Sequence, residues 1–126
     1  MPTAKLNDQL TLSITVTNRA KSAAWYTTHL GFEEIMSIDE AGWTEMKTTV
    51  PGVTLGLGDT DKASPGNCVP VFGVSDINEA RSALEQQSVT FDGETITMEG
   101  MVSIATFYDP DGNAMMLAED LSGSTE

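Results

Sequence analysis

The feature that most constrains this chain is a pattern stated twice. The segments VTNRAKSA, starting at Val16, and VSDINEARSA, starting at Val74, stand 58 residues apart, and each follows an apolar run. Before the first, LTLSITVT alternates strictly. Leu10, Leu12, Ile14 and Val16 share one face, while Thr11, Ser13, Thr15 and Thr17 share the other. That alternation predicts a half-buried strand with a hydroxyl-lined second face. Before the second, CVPVFGVS predicts another strand. Asn18 and Asp76 then stand where a side chain caps a helix, ahead of RAKSAAWYTTHL and INEARSALEQQ. Gly31 follows the first helix, where a left-handed residue closes it.

Three further strands follow each helix. FEEIMSID, GWTEMKTT and VTLGLGD are separated by Glu40-Ala41-Gly42 and Val50-Pro51-Gly52. VTFDGETITM, MVSIATFYD and AMMLAED are separated by Glu99-Gly100 and by Asp109-Pro110-Asp111-Gly112-Asn113. All four separators carry turn chemistry. The pattern predicts one α+β domain over residues 1–126, made of two βαβββ modules. Module 1 covers about 9–58, a polar linker 59–67, module 2 about 68–120, and a tail 121–126. A period this long marks two copies of one module rather than a solenoid. Each helix leaves one face of its sheet uncovered. The expected architecture is a curled mixed sheet around a cavity, with the helices on the outer face over Leu12, Ile14, Val16, Phe72 and Val74.

Composition narrows the function. Nineteen acidic against six basic side chains give a net charge of −13, which argues against nucleic acid and draws cationic ligands from a distance. No apolar run approaches the roughly 20 residues of a membrane span, and the N-terminus lacks a secretory-type apolar stretch. The expectation is a cytoplasmic protein without membrane contact. The single cysteine, Cys68, excludes an internal disulfide and a cysteine-based zinc cluster. It reads as a small buried hydrophobe on the helix side of its strand. The single histidine, His29, falls in the last turn of the first helix, where the dipole favours a cation and a structural or surface role. Met98, Met101, Met115 and Met116 read as flexible packing, with an adaptable ligand-facing wall as the alternative.

Several of these segments, in this order, resemble the vicinal oxygen chelate superfamily, which includes glyoxalase I, extradiol dioxygenases, epimerases and bleomycin-resistance proteins. The resemblance is carried by Ser22-Ala23-Ala24-Trp25-Tyr26 on the first helix, Leu30-Gly31-Phe32, Phe72-Gly73-Val74-Ser75-Asp76-Ile77 and FYDPDGN, and spans about residues 9–120. It implies a divalent metal held by His, Glu or Gln on four inward strands. Those four positions fall at Thr11, Gly56, Val69 and Met116. Together they supply a weak neutral oxygen, no side chain, no donor and a soft thioether, which is not a donor set for such an ion. A slip of one residue offers only Cys68, and a slip of two offers Ser13, Thr54, Val71 and Ala118. The expectation is therefore no metal and no cofactor.

Trp43, Glu45 and Lys47 form a period-two row whose opposite face carries Thr44, Met46 and Thr48. If Met46 is core, Trp43 and Glu45 face the cavity, and an indole beside a carboxylate suits a cation or a flat ring. A surface-facing, salt-bridged row is the competing reading. The expected ligand-binding cavity is Thr11, Ser13, Trp43, Glu45, Gly56, Val69, Val71, Met101, Phe107 and Met116. The expected function is a metal-free small-molecule-binding protein of the bleomycin-resistance type, dimeric, sequestering a cationic or aromatic compound. The alternative is a glyoxalase-, epimerase- or dioxygenase-like enzyme in the same cavity. As a metalloenzyme it would draw on Glu45, Glu94, Glu99 or Glu119. Without metal, Glu45 would serve as general base.

Overall fold

The computed structural model describes residues 2–110 and 112–123. Its elements run βαβββ twice, and the fold class is α+β. The first set is β1 (Leu10–Val16), α1 (Arg19–Leu30), β2 (Glu33–Ile38), β3 (Trp43–Lys47) and β4 (Val53–Asp59), with a 3-10 turn at Asp39–Ala41. The second is β5 (Val69–Gly73), α2 (Ile77–Gln86), β6 (Phe91–Met98), β7 (Val102–Tyr108) and β8 (Ala114–Asp120). Two compact units result: Leu10–Val69 forms one, and the rest of the chain, N-terminal residues included, forms the other.

In the first unit the strand order is β2-β3-β4-β1, with β1 parallel to β4 and the other pairs antiparallel. The Asn18 side chain accepts from the Lys21 backbone N–H at 3.0 Å, and Gly31 closes α1 at φ 76°. Alternation sends Met46, Leu55 and Leu57 to the face under α1, where they pack with Ala23, flanked by Leu12, Ile14, Val16, Tyr26 and Phe32. Met46 and Leu57 are fully buried, and each such side chain contributes about 1.5–3 kcal/mol. Asn67 turns back onto β1, its side-chain oxygen accepting from the Thr15 N–H at 2.8 Å.

The second unit repeats the layout, with β5 parallel to β8, then β7 and β6 antiparallel. Asp76 caps α2 by accepting from Glu79 N–H at 3.0 Å. Glu119 Oε1 accepts from Ile77 N–H at 2.9 Å and covers a second free donor at the same helix end. Val74, Ile77, Ala80, Ala105 and Leu117 form the core under α2. The N-terminal segment joins this unit: Asn7 N–H donates to Gly73 O and Gly73 N–H to Gln9 O. A Cβ at Gly73 would overlap Asn7 Oδ1, so a side chain there would push the Asn7 amide aside. Between β7 and β8, Asp109 O accepts from Gly112 N–H, and its carboxylate oxygens take Asn113 N–H and Nδ2 at 2.9 and 2.8 Å. Asp111 lies outside the described residues.

Cys68 corrects its expected place. It is exposed and precedes the first residue of β5, so no strand carries it into the core. The methionines do not gather either. Met98 and Met101 flank the exposed β6–β7 turn, Met115 pairs with Phe107, and Met116 takes the opposite face. No helix among the described residues is long and apolar enough to cross a membrane.

Candidate functional site

The face of the first unit turned away from α1 carries a connected polar group. Glu45 pairs with Gly56 across β3 and β4, and Ser13 pairs with Gly56 from β1. Trp43 Nε1 donates to Glu45 Oε1 at 3.2 Å, and Thr54 Oγ1 donates to Glu45 Oε2 at 2.8 Å. The Thr11 and Thr54 hydroxyls are 2.8 Å apart. A hydroxyl has one hydrogen, and Thr54 spends it on Glu45, so Thr11 donates to Thr54. The result is a directed chain, Thr11 to Thr54 to Glu45, with the indole donating to the other carboxylate oxygen. Trp43, Glu45 and Thr11 are all half-buried rather than sealed.

Gly56 determines how the indole sits. A Cβ built on Gly56 would overlap Trp43 Cη2 and Cζ2, and Gly58 lies 3.8 Å from Cε3 by the same measure. The six-membered ring of Trp43 therefore occupies the space above a strand stripped of side chains, and Gly56 is buried beneath it. A glycine inside a strand commonly marks such a close approach.

Thr11, Ser13, Trp43, Glu45 and Gly56 are thus brought together, and Thr54 joins them. In the second unit Val71, Met116 and Thr106 share one face through successive pairings, while Val69, the first residue of β5, is the last residue of the first unit. Thr106 holds the register position that Glu45 holds in the first unit, and Met116 that of Gly56. Apart from Thr106, the residues named on this face are apolar where their counterparts are mostly polar. Phe107 is a correction: it packs against the α2 core and lies 5.4 Å from Phe91, ring to ring. It has the parity of Ala105, and Ala105 is buried under α2. Met101 sits in the β6–β7 turn and is exposed. Glu119 is engaged at α2, and His29 is exposed beside Trp25, with ring centroids 4.8 Å apart.

The residue that sequence reasoning passed over is Arg19. Its guanidinium contacts Asp59 Oδ1 at 2.9 Å, Asp39 Oδ1 at 3.2 Å, Thr44 Oγ1 at 2.9 Å, Ser37 Oγ at 3.3 Å and the Trp43 carbonyl at 3.1 Å. Thr44 is buried, and its hydroxyl also meets Ser37 Oγ at 3.0 Å.

The residues present do not fit the metal that the resemblance implies. Among the described residues no three His, Cys, Asp or Glu side chains converge. The space directly above Gly56 is filled by the Trp43 ring, so a ligand side chain there would have to expel it.

Two successive βαβββ modules, each with the same parallel-then-antiparallel pairing, define the class of protein as a paired-module α+β fold. The family model described as the Glyoxalase/Bleomycin resistance protein/Dioxygenase superfamily matches residues 8–117, and the chain belongs to this family. Methylmalonyl-CoA epimerase from Mycobacterium tuberculosis is similar in structure, with 20% identity, a TM-score of 0.69, and 95% of this chain and 92% of that one covered. A variant of the Streptomyces coelicolor methylmalonyl-CoA epimerase in complex with 2-nitronate-propionyl-CoA has 17% identity and a TM-score of 0.71, covering 92% and 99%. A methylmalonyl-CoA epimerase in complex with methylmalonyl-CoA and NH4+ has 17% identity and a TM-score of 0.73, covering 97% and 100%. These likenesses concern the fold. No curated protein matches the sequence.

Proposed function

We propose that this chain is a small-molecule-binding member of its family that works without a divalent metal, and that the Trp43–Glu45 face takes a cationic or aromatic ligand. The observation that carries the reading is the indole over Gly56, hydrogen-bonded to Glu45. An aromatic face beside a carboxylate attracts a cation through both its quadrupole and its neighbour's charge. The Thr11–Thr54 chain holds that carboxylate in one orientation without adding charge. A net charge of −13 raises the encounter rate for a cation. Homodimerisation belongs to the same reading, supported by the exposed Ile35 and Met36 on β2.

The test is a matched pair of probes, benzyltrimethylammonium against neutral benzyl alcohol, read by thermal shift on metal-stripped protein. The cation should stabilise the protein, and Glu45→Gln should remove the preference. A ligand at a hundred times its Kd adds about 2.7 kcal/mol, well within reach of the assay. Stabilisation by the neutral probe alone overturns the role given to Glu45 and the acidic charge, and stabilisation only after adding Mn, Ni or Zn overturns the metal-free reading.

A second reading has its own support: Glu45 is an ionisable group on the open face, and the similar structures include methylmalonyl-CoA epimerases bound to acyl-CoA ligands. Here Glu45 would take a proton adjacent to a thioester carbonyl. Exchange of that proton with solvent deuterium in methylmalonyl-CoA, lost in Glu45→Gln, distinguishes it from sequestration.

A further inference from the structure

On the face of β3 opposite the candidate site, the start of the strand is gripped by the side chain of Arg19. Arg19 opens α1, yet its side chain is only 15% exposed, because the guanidinium lies along the ends of the neighbouring strands. Two contacts are ion pairs, to Asp39 and Asp59. A third is different in kind: Nη1 donates to the backbone carbonyl of Trp43. The same nitrogen bonds the Thr44 hydroxyl at 2.9 Å, so two consecutive residues of β3 are gripped at one point.

Trp43 is the first residue of β3 and follows Gly42, which adopts φ 61°. The indole is therefore attached where the strand begins, and strand ends open more readily than strand centres. Its seat over Gly56 demands a defined backbone there, since the ring occupies space that a Cβ would fill. We propose that Arg19 is a positioning residue for Trp43, fixing from the helix side the backbone that aims the indole over Gly56. Arginine suits the task because its planar fork reaches two carboxylates, a carbonyl and a hydroxyl at once, whereas lysine carries a single point of charge.

The inference rests on Trp43 being the binding platform, but its test needs no ligand, so the two fail separately. In a Trp25→Phe background Trp43 is the only tryptophan. Its emission maximum and acrylamide quenching report how firmly the ring is seated. Arg19→Lys keeps the charge facing Asp39 and Asp59 but loses the fork. It should red-shift the emission and raise quenching in protein that circular dichroism shows to be folded. Asp59→Asn removes an ion pair without touching the Trp43 carbonyl. It should lower the midpoint of thermal unfolding and leave the emission where it was. A purely structural role for Arg19 would make the two variants behave alike, and that result overturns the proposal. So does an unshifted spectrum in folded Arg19→Lys. Should Arg19→Lys fail to fold, Thr44→Val decides: it removes the hydroxyl that shares Nη1 with the carbonyl. It should shift the emission in the same direction by a smaller amount, and no shift overturns the proposal.

Discussion

Replacing Gly56 with alanine adds one methyl group at the point where the Trp43 ring already stands. Cη2 and Cζ2 are the atoms overlapped, and they lie at the far end of a side chain that can rotate. Gly56 does not adopt a positive φ, so alanine meets no backbone penalty, and the whole effect passes through the indole. The ring must leave, taking with it the hydrogen bond to Glu45 Oε1 at 3.2 Å, about 0.5–1.5 kcal/mol net. Displaced packing of this kind costs about 1–3 kcal/mol, while alanine in a strand recovers about 0.5–1 kcal/mol over glycine. The balance is a loss of about 0.5–4 kcal/mol, which lowers Tm by about 2–20 °C at this chain length. Urea unfolding of wild type, Gly56→Ala, Trp43→Ala and the double variant completes a cycle. Without the indole the methyl has nothing to strike, so Gly56→Ala should stabilise Trp43→Ala by about 0.5–1 kcal/mol. The coupling is then the sum of the hydrogen-bond and packing terms, about 1.5–4.5 kcal/mol. If Gly56→Ala has the same effect in both backgrounds, the indole is not seated over Gly56 and the basis of the proposed site is gone.

Burial, and then the charge of Asp92 and a hydrogen bond to its carboxylate, push the Tyr108 hydroxyl above its ordinary value of 10.0. Folding raises this value, so the associated stability is fully present below about pH 10 and is lost as pH climbs toward the folded-state value. Ultraviolet titration in a Tyr26→Phe background should show a high midpoint that Asp92→Asn moves part of the way down. Met46 is fully buried under α1, and Met46→Ala should cost about 2–5 kcal/mol in chemical denaturation. A cost below about 2 kcal/mol, the lower end of the range for such deletions, would mean that α1 does not seal that core.

What could be read beforehand follows from how local the cause is. The bounds of α1 are set by Asn18 and Gly31, which act within a turn of the residues they cap. The burial of Met46 follows from strict alternation in β3. Phe107 was illegible because Val102, Ile104, Ala105 and Phe107 place apolar groups on both faces of β7. Small Ser103 and Ala105 admit α2 closely and are both buried, which settles the parity only once α2 is in place. Arg19 was missed because its partners Asp39, Thr44 and Asp59 lie 20 to 40 residues away, and a charged residue opening a helix reads as surface. The signal for the Trp43 seat was present in Gly56. In the sequence Gly56 reads as a missing side chain, and in the fold it also marks the room that another side chain uses.

The link between Asn7 and Gly73 bears on how the chain is made. The unit holding β5 to β8 is assembled from both ends of the sequence, while the other is contiguous. During synthesis, the segment carrying Asn7 and Gln9 precedes β5 and meets Gly73 only once β5 has been made. The contiguous unit has no such delay. Topology therefore orders events in time: the Asn7–Gly73 link closes across the whole contiguous unit, and a loop of that length carries an entropic cost that a local contact does not.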